Sequence, residues 1–149
     1  MSVQQTIEAD YKKAFKSSDK DAVSALRMLK SAIKNREIEL VRELTDEETI
    51  EIVAREAKHR HEAVAQYTAA GRTELAAHEQ ADATVYAKYL PAQLTEDELT
   101  AIVNETVKAL GITDIQQLGK VMGAVMAKVK GRADGTAVQA VAKRVLGAR

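Results

Sequence analysis

Apolar residues recur every three or four positions along most of the chain, a spacing that places them on one face of an α-helix. The first such segment, about 3–16, carries Val3, Ile7, Ala14 and Phe15 on this face. A longer segment, about 20–42, carries Val23, Leu26, Leu29, Ile33 and Leu40. Strand-like alternation never continues beyond four residues. The pattern therefore predicts an all-α fold.

Residues that favour helix ends divide the middle of the chain into two further helices. Thr45 precedes Glu48 by three residues, which is the spacing of a capping box and predicts a helix start. The helix that begins here is expected to reach about residue 70, because Gly71 can adopt the left-handed conformation that ends it. A further alanine-rich helix over about 73–89 stops before Pro91, whose ring disfavours helical backbone at the preceding residue.

The segment YLPAQLTEDEL, residues 89–99, is the best candidate for a boundary between two parts of the chain. A second capping box within it, Thr95 with Glu98, predicts a helix that ends at Gly111. A third, Thr113 with Gln116, predicts a helix that continues to Lys130.

The stretch KVKGRADG, residues 128–135, has the signals of a turn between two helices. Gly131 can stop one helix, Asp134 can cap the next, and Gly147 can end that last helix. We therefore predict a helical N-terminal part, residues 1–92, and a C-terminal three-helix bundle, residues 93–149.

The composition agrees with helices and limits the available chemistry. One proline and seven glycines are few for an all-β chain, and no cysteine is available for disulfides, thiolate metal sites or nucleophilic catalysis. The N-terminus has no apolar signal-peptide region, and no run approaches 18 apolar residues. We therefore expect a cytoplasmic protein that does not span a membrane.

The sequence contains no motif of a known catalytic or nucleotide-binding site, such as GxSxG, GxGxxG, HExxH or a P-loop. His59 and His61 lie about 200° apart around a helix, so they cannot share one metal ion. His78 stands beside Glu79 without a second partner. We expect no catalytic residues, no metal site and no cofactor, and enzymatic activity of this chain alone is not indicated.

A net charge of zero conceals a strong segregation of charge along the sequence. Residues 119–149 contain seven basic residues and one acidic residue, and residues 12–42 contain nine basic and four acidic residues. Two basic segments separated by an acidic middle suggest a polyanionic partner. Alternatively, these charges attract one another across the fold.

The helix predicted over 114–130 separates apolar from basic residues. At about 100° per residue, one apolar face contains Leu118, Met122, Val125, Met126 and Val129. With Lys120 as the origin, Lys128 lies near 80° and Lys130 near −80°, on the opposite half. Small residues fill the space between these lysines, namely Gly119, Gly123, Ala124 and Ala127.

A face of small residues bordered by lysines allows another surface to approach the helix backbone closely. RNA phosphates are one such surface, and a neighbouring helix seated on Gly119 and Gly123 is the alternative. In the last helix, Lys143 and Arg144 project away from the side that carries Val138, Val141 and Val145. No aromatic residue lies in this segment, so we expect contacts with backbone and shape, as with folded RNA, rather than base stacking.

Three stretches together resemble the GatB/YqeY family, and most closely its stand-alone YqeY-like members, which are small bacterial proteins of about this length. They are LRMLKSAIKNREIE (26–39), YLPAQLTEDEL (89–99) and GKVMGAVMAKVKGRADGTAV (119–138). The resemblance implies an all-helical fold in two parts. It also implies kinship with the C-terminal tail of the GatB subunit of tRNA-dependent amidotransferases, where the tail helps to hold the tRNA.

The resemblance suggests RNA-binding roles for the basic residues of the matching C-terminal stretch, namely Lys120, Lys128, Lys130 and Arg132. Charge and helix face alone extend this role to Lys143 and Arg144. We predict an accessory protein that binds tRNA or another structured RNA and has no catalysis of its own. The alternatives are a helical adaptor of an aminoacylation or amidotransferase complex, and a component with carbon–nitrogen ligase activity that uses glutamine as the amide donor.

Overall fold

The computed structural model describes residues 1–147, in which all the regular structure is helical, as the sequence predicts. The α-helices are α1 (Val3–Lys16), α2 (Lys20–Leu40), α3 (Asp46–Ala69), α4 (Thr73–Ala87), α5 (Glu96–Leu110), α6 (Leu118–Val129) and α7 (Gly135–Gly147). A short 3₁₀-helix, Ile115–Gln117, precedes α6. The chain divides into two compact units, one ending at Leu90 and the other beginning at Pro91.

Local chemistry at the end of α2 and the start of α3 fixes both helix boundaries. Val41 adopts a left-handed conformation, with φ 57°, so α2 ends two residues before the expected position. The predicted capping box is confirmed, since Thr45 Oγ1 accepts from the Glu48 N–H at 3.2 Å and the Glu48 carboxylate accepts from the Thr45 N–H at 2.9 Å. The Arg42 guanidinium also binds this carboxylate, at 2.7 Å, and these bonds lower the pKa of Glu48 to about 2.

The first unit, α1 to α4, packs around one apolar core. This core contains Ile7, Ala25, Leu26, Leu29, Ile33, Leu44, Ile52, Val53, Ala57 and Tyr86. Tyr86 is fully buried, and its hydroxyl donates to the Ala25 carbonyl oxygen at 2.7 Å, which links α4 to α2. Burial raises the pKa of Tyr86 to about 12, so the phenol stays protonated and satisfies a carbonyl group inside the core.

The second unit, described over residues 91–147, places α5, α6 and α7 around a core rich in valine. The core contains Leu99, Val103, Val107, Ile112, Val121, Val125, Val129, Val138, Val141, Ala142, Val145 and Leu146. No helix in the part of the chain that the structure describes has both the length and the apolar character needed to span a bilayer.

Two of the helix starts in this unit differ from the predicted capping boxes. Thr95 caps α5 through the Glu98 N–H, but the Glu98 carboxylate accepts from the Thr95 hydroxyl rather than from its backbone N–H. The third box, at Thr113, is wrong. The Asp114 carboxylate accepts from the N–H of Gln116, two residues on, at 2.9 Å, which favours a tight turn and a 3₁₀-helix. As a result α6 begins at Leu118 rather than at 114.

Candidate nucleic-acid interface

The turn between α6 and α7 is built as its sequence predicts. Gly131 has a positive φ of 78°, which a residue with a side chain rarely adopts. It follows Lys130, the residue that caps the C-terminus of α6. The Asp134 carboxylate accepts from the backbone N–H groups of Thr136 and Ala137 and so caps the start of α7.

The segment that follows Pro91 fixes the backbone of this turn. The Gln93 side-chain amide donates to the Gly131 carbonyl oxygen at 2.8 Å, and the Leu94 N–H donates to the Arg132 carbonyl oxygen at 2.9 Å. The side chain of Arg132 is exposed above this fixed backbone. Two hydrogen bonds therefore hold the backbone that carries the Arg132 guanidinium group.

The apolar face of α6 is wider than the sequence analysis placed it. Val121 is fully buried, although it was not included among the predicted apolar positions. At about 100° per residue Val121 lies about 100° from Lys120, so Lys128, at about 80°, borders the buried face instead of opposing it. Lys130 lies beyond α6, in extended backbone with ψ 123°, so its predicted helical direction is wrong.

Lys128 is bound to α5 as a result of this position. Its ammonium group donates to Thr106 Oγ1 at 3.0 Å, and the Thr106 hydroxyl donates in turn to the Ile102 carbonyl oxygen at 2.8 Å. Thr106 is itself buried. This contact gives Lys128 a structural role between α5 and α6, and only part of its hydrogen-bonding capacity is left for an external ligand.

Arg144 is also bound to α5, through both ends of its guanidinium group. One nitrogen lies 2.5 Å from a Glu96 carboxylate oxygen, and another donates to Thr100 Oγ1 at 2.8 Å. Here the alternative reading of the charge pattern applies, since a basic residue of the C-terminal segment pairs with an acid from the middle of the chain. The charge of Arg144 is balanced within the fold.

The six predicted RNA-binding residues are therefore not equivalent, and the structure does not gather them into one cluster. Lys120, Arg132 and Lys143 are exposed on α6, the turn and α7. Lys130 is exposed as well but takes part in an interaction of its own. Arg149, which contributes to the basic charge of the segment, lies outside the described residues.

The small-residue face of α6 is open. An added Cβ atom at Gly119 or Gly123 would meet no heavy atom within 4 Å, apart from the helix's own backbone and chain neighbours. Within the described residues neither α5 nor α7 packs against these glycines, so the predicted alternative of a seated neighbouring helix is not realised there. The exposed face combines this open backbone with the ammonium group of Lys120.

Comparison with known proteins gives the family of the chain. The family model described as Yqey-like protein matches residues 4–146, which is nearly the whole sequence. The chain belongs to the YqeY-like family. A similar protein is "Altered inheritance of mitochondria protein 41, mitochondrial" of Pyrenophora tritici-repentis (strain Pt-1C-BFP), 28% identical over 147 residues that cover 96% of this chain and 80% of that protein.

The first unit of this YqeY-like protein contains a cluster of charged side chains between α3 and α4. The Arg60 guanidinium lies 3.2 Å from the Glu56 carboxylate and 3.3 Å from that of Glu79. His78 has a partner that the sequence analysis missed. Asp82 follows one helical turn later, and its carboxylate lies 3.9 Å from the imidazole. No group of three potential metal ligands occurs among residues 1–147.

Asp82 is nearly inaccessible to solvent, and burial raises the pKa of its carboxyl group although His78 and Arg60 oppose the shift. The folded protein thus binds this proton more readily than the unfolded chain, and the ionised form destabilises the fold above its pKa. We expect Asp82→Asn to raise the Tm at pH 7.5. The gain should disappear below about pH 4, where the carboxyl is protonated in both states.

Thermal unfolding followed by circular dichroism at the two pH values checks this expectation. Glu74→Gln, at an exposed carboxylate in the first turn of α4, is the control for loss of one negative charge. A lower Tm of Asp82→Asn at pH 7.5 would contradict it, and would mean that attraction to His78 and Arg60 outweighs the cost of burial.

Proposed function

We propose that this YqeY-like protein is a non-catalytic accessory protein that binds structured RNA, in particular tRNA, through its C-terminal three-helix bundle, residues 93–149. The observation that carries the proposal is the open glycine face of α6, where an RNA backbone can approach the helix closely beside Lys120. The exposed side chains of Arg132, on the turn, and Lys143, on α7, add further positive charges to the same unit. Resemblance of residues 119–138 to the GatB tail supports the choice of tRNA.

Charge alone does not account for this proposal, because the second unit is nearly neutral. Residues 91–147 contain seven basic and six acidic residues, and several of the acids lie on α5. The positive charges available to a ligand are therefore local, on α6, the turn and α7. Such an arrangement favours a few phosphate contacts and modest affinity rather than indiscriminate binding of polyanions.

The site of action that we propose is the cytoplasm. The fungal relative has "mitochondrial" in its printed name, and mitochondria also contain tRNA. The proposed activity is thus compatible with either compartment.

Binding of fluorescently labelled tRNA, measured by anisotropy, tests the proposal. Three phosphate contacts would make the association constant fall about 40-fold between 50 and 200 mM monovalent salt. Absence of binding at 50 mM salt would overturn the proposal. Gly123→Leu sharpens the test, because a leucine at this open helical position should preserve or raise the Tm while it blocks close approach of the RNA.

The two alternative functions give different results. An adaptor of an aminoacylation or amidotransferase complex would co-purify with protein partners after nuclease treatment, with no tRNA binding by the purified chain. A carbon–nitrogen ligase component would stimulate glutamine-dependent amide formation on misacylated tRNA. Either result without direct tRNA binding would replace the proposed function.

A further inference from the structure

The surface between α1 and α2 contains two adjacent depressions that share Arg27. The outer one, with a volume of about 430 Å³, is lined by Phe15, Ser18, Lys20, Val23, Ser24 and Arg27. The inner one, of about 390 Å³, extends from Tyr11 and Arg27 toward Lys34 and Glu37. Both lie within the first unit, whereas the residues assigned to RNA binding belong to the second unit.

The outer depression exposes apolar surface that the fold leaves uncovered. Phe15 is 63% exposed near the end of α1, and Val23 on α2 is half-buried. The chain has one phenylalanine and four tyrosines, and its phenylalanine is exposed. A large aromatic ring gains more than most side chains from burial, so this exposure indicates a contact surface. An apolar side chain of a partner that packs here would remove this surface from water.

The charged side chains that line the outer depression are basic. Lys20 and Arg27 line the outer depression, and none of its lining residues is acidic. In the inner depression the acids are already engaged, since Glu8 pairs with Lys30 at 2.7 Å and Glu37 accepts from the Leu44 N–H at 3.1 Å. A ligand with both apolar and negatively charged groups would complement the outer depression.

The aromatic rings are poorly arranged for nucleic acid. The Lys30 ammonium lies 4.1 Å from the centre of the Tyr11 ring and covers one of its faces. The Phe15 ring is tilted by 38° from that of Tyr11, so the two rings do not form a parallel platform on which successive bases can stack. The surface therefore favours a protein ligand over single-stranded RNA.

We propose that the outer depression, with Phe15, Lys20, Val23 and Arg27, docks a short acidic segment of a partner protein. A leucine or phenylalanine of that segment packs on Phe15 and Val23. Its carboxylates pair with Lys20 and with Arg27, whose guanidinium is oriented by a hydrogen bond of 3.3 Å to the Tyr11 hydroxyl. This inference does not depend on the proposed RNA binding, because it uses a separate surface.

A titration of the ¹⁵N-labelled full chain with three synthetic 15-residue peptides tests the inference. One peptide combines glutamate with leucine and phenylalanine on one helical face, the second replaces its glutamates by lysine, and the third replaces its apolar residues by alanine. We expect saturable chemical-shift changes centred on Phe15, Val23 and Arg27 with the first peptide, and at least tenfold weaker binding of the other two.

Matched variants of exposed residues locate the site without unfolding the protein. Phe15→Ser and Lys20→Glu should each weaken binding of the first peptide at least tenfold. The glutamate should not destabilise α2, because an acidic residue is favourable in the first turn of a helix. Ile38→Ser, at a residue that is 64% exposed against 63% for Phe15, is the control for apolar surface. Arg72→Glu, at an exposed residue before α4, is the control for charge. Neither control should change the affinity.

Three outcomes would overturn the inference. The first is no saturable binding of the acidic apolar peptide, or shifts away from this surface. The second is stronger binding of a 12-nucleotide oligouridylate to the same residues, which would assign the surface to RNA. The third is self-association that Phe15→Ser abolishes, which would assign it to a second copy of the chain. Loss of peptide binding with tRNA binding retained separates this inference from the proposed function.

Discussion

Replacing Lys120, Arg132 and Lys143 together by glutamate should weaken tRNA binding roughly 100-fold at low salt and remove most of its salt dependence. These three side chains are exposed, and they occupy α6, the turn and α7. Reversal of their charges removes the proposed phosphate contacts and adds repulsion, while the core of the second unit is untouched. Anisotropy with labelled tRNA across a salt series measures both effects, and circular dichroism verifies an unchanged Tm.

The control for this prediction is a triple variant with the same change in net charge in the first unit. Lys12, Lys13 and Lys16 are exposed on α1, and their replacement by glutamate should leave tRNA binding within a few-fold of the original. Equal loss of binding in the two triple variants would contradict the assigned interface. It would mean that net charge rather than position governs the interaction.

Lys128 and Arg144 are left out of this variant for a structural reason. Both side chains are bonded to α5, through Thr106 and through Glu96 with Thr100. Glutamate at Arg144 would face the Glu96 carboxylate, so a loss of RNA binding there could reflect altered packing of α7. Separating the cations that are bonded to α5 from the other exposed cations makes the test specific.

Leu29→Ala should lower the free energy of unfolding by roughly 2–5 kcal/mol, because it removes a fully buried side chain and leaves a cavity in a packed core. Leu29 is inaccessible to solvent in the middle of α2, within the core of the first unit. Urea denaturation measures this loss of unfolding free energy. Met28→Ala is the matched control, since its side chain on the same helix is 44% exposed and should cost less than about 1 kcal/mol.

The same variant tests whether the two predicted parts, residues 1–92 and 93–149, fold as separate domains. In that case amide hydrogen exchange should accelerate in α1 to α4 and stay unchanged in α5 to α7. Equal acceleration in both units would show one cooperative fold and would contradict the predicted division.

The helices could be predicted well from the sequence because their determinants are local. Apolar periodicity and capping residues placed most helix ends within two residues of the observed positions. Errors remain at the end of α2 and at the start of α6. At Val41 a residue with a branched side chain ends α2 in a left-handed conformation, and no pattern in the sequence indicates this. At Thr113 the neighbouring Asp114 forms a shorter turn in place of the expected cap.

The candidate site was predicted less well because its contacts join distant parts of the chain. Lys128 and Thr106 are 22 residues apart, and Arg144 and Glu96 are 48 residues apart. Helical angles indicate only the face on which a side chain lies. The omission of Val121 made the predicted apolar face too narrow on the side of Lys128. The partner of His78 could have been predicted from the sequence, because Asp82 stands four residues later on the same helix.

The hydrogen bonds that Gln93 and Leu94 make to the turn between α6 and α7 have a thermodynamic consequence. A loop that must become ordered on binding loses conformational freedom, and this loss subtracts from affinity. The backbone under Arg132 is already ordered, so only its side chain remains to be immobilised. A phosphate contact at this turn should therefore cost less conformational entropy than the same contact made by a flexible loop.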